Sequence, residues 1–165
     1  MQVGRAAAIR RTGVMAVDPA NLDTIEKARN YLANVRKAGR SDLEAAAFRR
    51  VCELAGREDT DALVVDFWRA IAAAEEILRE QHGKTVLLGR TRPKVARVGA
   101  HQTIVDLVMS RAPSDGFHIL TRAGLADLTA EWLTLKHADR FLPEVREAAR
   151  ARLVDAGITF PEASL

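Results

Sequence analysis

The chain has 165 residues, 48% of them hydrophobic and 28% charged, with a net charge of +3. That length suits one domain able to bury about two-thirds of its surface without covalent staples. The lone Cys52 excludes an internal disulfide and a cysteine-based metal site, and no run approaches the roughly 18 apolar residues of a membrane span. Ala, Leu, Arg and Glu are abundant, all good helix formers. Apolar residues recur at steps of three and four, and no long alternating run is present. The pattern predicts an all-α chain, a single compact multi-helix domain around a long central helix.

Residues 1–17 read as a basic N-terminal arm with Arg5, Arg10 and Arg11, either frayed or following phosphates. They lack the continuous apolar stretch of a signal peptide, so the expected location is cytoplasmic. The helical domain is expected over residues 18–157, with residues 158–165 as a tail.

The first helix is predicted to start at Asp18-Pro19, with proline in its first turn. Leu22, Ile25, Leu32 and Val35 mark its apolar face, and Gly39 ends it. Ser41 and Glu44 have the spacing of a capping box and open a second helix that runs to about Ala55. Cys52 lies on its apolar side, as a small buried hydrophobe and not a nucleophile. Thr60 is expected to cap the long helix, residues 60–82. Val64, Phe67, Ile71, Ala74 and Leu78 form a seam along it. Such a helix is either the middle of the core or a seam for a second copy of the chain or another protein.

Residues 84–89 read as a connection. The segment 84–112 then carries Lys84, Arg90, Arg92, Lys94, Arg97 and Arg111 against Asp106 alone. A basic island in a nearly balanced chain points to a polyanion partner. Beyond it, Pro113–Gly116 is a turn. Short helices are expected over residues 117–124 and 125–136, and a last one opens at Leu142-Pro143 and stops at Gly157.

Residues 91–110 form a twenty-residue unit with glycine ninth, at Gly99, where a sharp turn between helices needs positive φ. Val98, Ala100, Val105 and Val108 occupy the eighth, tenth, fifteenth and eighteenth places. This resembles the helix-turn-helix of bacterial DNA-binding proteins, with two departures: Val95 stands where alanine is usual, and Lys94 where an apolar residue is usual. The resemblance implies a DNA-binding regulator whose second helix enters a major groove. Its outward side chains would be His101, Gln102, Thr103 and Asp106, with Gln102 suited to an adenine edge. Arg90, Arg92, Lys94 and Arg97 would hold the phosphate backbone. Thr91 would cap the first helix of the pair.

No zinc-protease, phosphate-loop or dinucleotide pattern occurs, and Glu75 and Glu76 point apart around their helix. The chain is therefore expected to act without catalysis, metal or cofactor. The alternative to DNA binding is a helical protein–protein adaptor that uses the apolar helix at 60–82.

Overall fold

The computed structural model describes residues 17–161, so the arginines of the N-terminal arm lie outside the described residues. Within that span the chain forms seven α-helices and three short 3-10 turns, with no strand. Asp18 caps a separate 3-10 turn, Pro19–Asn21, and Leu22 then returns to extended backbone. Helix α1 (Ile25–Lys37) therefore starts later than expected, with the Thr24 hydroxyl accepting from the Lys27 N–H. Gly39, at φ +65°, turns the chain into α2 (Ser41–Ala55). The capping box does not form: Ser41 is already the first helical residue, and Glu44 instead accepts from Arg36 across the connection, at 2.7 Å. The pairing of α1 with α2 takes the carboxylate away from the helix end.

Helix α3 (Ala62–His82) is capped by Asp61, not Thr60; the Asp61 carboxylate accepts from the Leu63 N–H at 2.9 Å. Its apolar residues are divided between two clusters. Leu63, Phe67, Trp68, Ala70 and Ile71 join residues from the C-terminal half of the chain, while Ala73 and Ala74 join the first two helices. This division explains why α3 is apolar on so much of its circumference. It agrees with the core alternative for residues 60–82, since Phe67, Ile71 and Ala74 of the seam are buried inside the chain.

The C-terminal half comprises α4 (Thr91–Met109), α5 (Asp115–Arg122), α6 (Ala130–Lys136) and α7 (Pro143–Asp155). Ser114 and Thr129 cap α5 and α6 through their hydroxyls, and Pro143 sits in the first turn of α7. Leu63, Ile104, Leu133 and Leu153 are essentially inaccessible to solvent, each burial contributing about 1.5–3 kcal/mol. Residues 158–161 follow α7 without helical structure. Ile158 and Phe160 pack back on the core, with the Phe160 ring edge-on to Trp132 at 4.7 Å. No described helix is long and apolar enough to cross a membrane.

Among the described residues four carboxylates are buried, Asp66, Glu75, Glu76 and Glu131, and each meets a cation from elsewhere in the fold. Glu76 accepts from Arg29 of α1 and Arg79 of α3, tying the first helix to the central one. Burial alone would raise its pKa, but the two guanidiniums outweigh this and hold it below the ordinary carboxylate range.

Candidate nucleic-acid interface

The basic segment is anchored before it is displayed. Arg92 makes a two-pronged ion pair with Glu75, with both contacts at 2.6 Å, and its guanidinium lies 5.3 Å from the Trp68 ring centre. Glu75 also accepts from the Leu88 N–H at 2.9 Å, so one buried carboxylate fixes both the loop and the start of α4. Arg92 is thus a structural anchor rather than a phosphate ligand. Sequence reading missed this clamp, although Trp68 and Glu75 stand seven residues apart on one face of a predicted helix. Thr91 does not cap α4; it lies inside the helix, and the Arg92 N–H bonds to the Leu88 carbonyl.

The α4 backbone breaks at Gly99, with φ +83° and ψ 167°. Residues 91–98 and 100–109 are therefore two helices meeting at one glycine, where the sequence places the turn. Nothing lies within 4 Å of a Cβ built on Gly99, so a side chain there meets no obstacle. The penalty is one of backbone conformation alone: Gly99→Ala is expected to cost about 1–3 kcal/mol in a denaturant titration. An alanine variant as stable as the wild type would show that the bend is not held in this conformation.

Beyond the bend, Ala100, Ile104 and Val108 are buried in the core. Thr103 is buried as well, and its hydroxyl donates to the Gly99 carbonyl at 2.7 Å. It secures the turn instead of facing a groove, which corrects its expected base-reading role. Val98, the apolar residue in the eighth place of the pattern, is exposed. His101 is exposed but occupied: its ring stacks on Phe141 at 4.7 Å, and Nε2 meets the Arg140 carbonyl at 2.8 Å.

Two outward stripes remain. Arg90 at the N-cap, then Lys94 and Arg97 on the first half of α4, follow one another at helical spacing, and Gln102, Asp106 and Met109 do so on the second. The stripes adjoin, because Lys94 Nζ lies 2.6 Å from Asp106 Oδ2. The Gln102 amide donates to the same carboxylate at 2.8 Å. Lys94, followed by Gln102, holds the Asp106 carboxyl below its usual range. Arg90 and Arg97 are exposed and make no hydrogen bond or ion pair among the described residues.

The remaining ionisable groups offer less. A polar cleft of about 350 Å³ is lined by Arg49, Asp66, Asp127 and Lys136, but these are paired with one another or with His137 at 2.8 Å. Cys52 borders that cleft, and burial pushes its thiol up to about 12, leaving it a thiol at neutral pH. No three described His, Cys, Asp or Glu side chains are placed to share a metal ion. No protein-family model, curated protein or solved structure matches the chain.

Proposed function

We propose that the protein binds double-stranded DNA through the surface on either side of Gly99. The observation that carries this reading is the pair of adjoining stripes: exposed Arg90 and Arg97 with the half-buried Lys94 between them, beside an exposed Gln102, on two helices broken at a turn glycine. In this reading Arg90 and Arg97 supply the unpaired positive charge that meets phosphates. Gln102 is the side chain with a donor and an acceptor for a base edge. Asp106 holds Lys94 and Gln102 in place in the free protein, and both bonds are exposed enough to be exchanged for contacts to DNA. His101 and Arg92 shape the surface from behind.

The test is duplex binding followed against salt. Binding is expected to be measurable at about 50 mM salt and to weaken steeply as salt rises. Arg90→Glu/Arg97→Glu should bind more weakly and lower the salt slope by about 2, one unit per lost phosphate contact. Undetectable binding of the wild type at low salt, or superimposable salt curves for the two proteins, would overturn the reading.

A further inference from the structure

A second basic surface lies away from the α4 bend, in a cleft bordered by α5 and α7. The cleft exists because these two helices pack on different neighbours: α5 on α3, and α7 on α4 and α6. Its volume is about 680 Å³, within the roughly 300–1,000 Å³ typical of small-ligand sites. Arg111, His118, Arg122 and Arg152 line it, with Asp155 as the opposing charge and Phe117 among its apolar residues. His118 and Arg122 stand one turn apart on α5, so they share a face. Arg111 comes from the connection before α5.

The four basic side chains are not equivalent. Arg152 is committed: it donates to the Leu107 and Ser110 carbonyls and to Glu131 Oε1, at 2.6–2.9 Å, and so forms a fixed wall. Arg111, His118 and Arg122 make no side-chain hydrogen bond or ion pair among the described residues. Asp155 is likewise without an ion pair there, yet one carboxylate cannot balance two free guanidiniums. A carboxylate ligand would match only one guanidinium fork. A phosphoryl group carries about −1.5 to −2 charge and three acceptor oxygens, which suits two arginines with a histidine beside them. Ala148 and Ala151 give the α7 side of the cleft an apolar wall next to that charge, suited to a small organic body.

We propose that this cleft binds a small phosphate monoester, with Arg111 and Arg122 holding the phosphoryl group and His118 assisting. The site is separate from the proposed DNA surface and stands or falls independently of it. A phosphate of the DNA backbone offers the same chemistry, and the experiment separates the two sources.

The full chain, labelled for amide NMR, is titrated with phenyl phosphate and with inorganic phosphate. Both probes should shift amides of α5, α7 and the 111–114 connection, phenyl phosphate more strongly because its ring meets the apolar wall. Arg111→Gln and Arg122→Gln are surface changes that should leave the melting curve unchanged. Each should weaken phenyl phosphate by at least about tenfold, the loss expected for one charge-assisted hydrogen bond. Arg97→Gln, on the other surface, should leave the titration unaltered. Absence of shifts in this region, or shifts indifferent to both cleft variants, would overturn the proposal. So would a result in which the cleft variants weaken duplex DNA binding and phenyl phosphate does not bind, which would assign the cleft to the DNA backbone instead.

Discussion

Arg152→Ala is expected to destabilise the protein by about 3–5 kcal/mol at neutral pH, the range for removing one partner of a buried ion pair. Arg152 is the cation held against Glu131, a fully buried carboxylate whose Oε2 has no hydrogen-bond partner among the described residues. The same guanidinium accounts for the Leu107 and Ser110 carbonyls at the end of α4. Burial already raises the Glu131 pKa above the usual carboxylate range, and Arg152 offsets that only in part. A group with a raised folded-state pKa favours the fold most when protonated. Its contribution is complete below the unfolded value, about 4.3 for glutamate, and is lost as pH rises through the folded value. The Arg152→Ala penalty should therefore shrink in mild acid and grow towards neutrality. Denaturant melts of both proteins at acidic and neutral pH would check this; a penalty independent of pH would show that Glu131 is not the group left stranded.

Ile104→Ala is expected to cost about 2–5 kcal/mol, the range for a large-to-small change in a packed core. Ile104 has no exposed surface and belongs to the larger core cluster, one turn after Gly99. It is the apolar anchor that keeps the second half of α4 in the core after the backbone breaks. Val98→Ala, on the exposed side of the same bend, should change stability by less than about 0.5 kcal/mol. Chemical denaturation midpoints for the two variants provide the measurement. Equal, small losses at both positions would mean that the second half of α4 is not packed as described.

The helical architecture was legible because its signals are local. The steps of three and four from Val64 to Leu78, and the glycines at 39, 83 and 157, act within a few residues of themselves. All three glycines take positive φ at or just beyond a helix end. Gly99 was legible for the same reason, since a bend between helices needs a residue free to adopt its backbone angles. The caps were less so. Thr60 and Asp61 compete for one helix start, and Ser41 lost its partner when Glu44 found Arg36 across the connection.

The site divides along the same line. The sequence by itself determined an all-helical chain with a bend at Gly99 and a basic segment around it. Only the tertiary structure decided which basic and polar side chains remain free. Arg92 is drawn to Glu75 beside Trp68, Thr103 turns inward to the Gly99 carbonyl, and His101 lies on Phe141. Composition assigns a charge to a position, but pairing across helices determines whether that charge faces solvent. A buried carboxylate such as Glu75 must find a cation, and which one it finds depends on how distant segments pack.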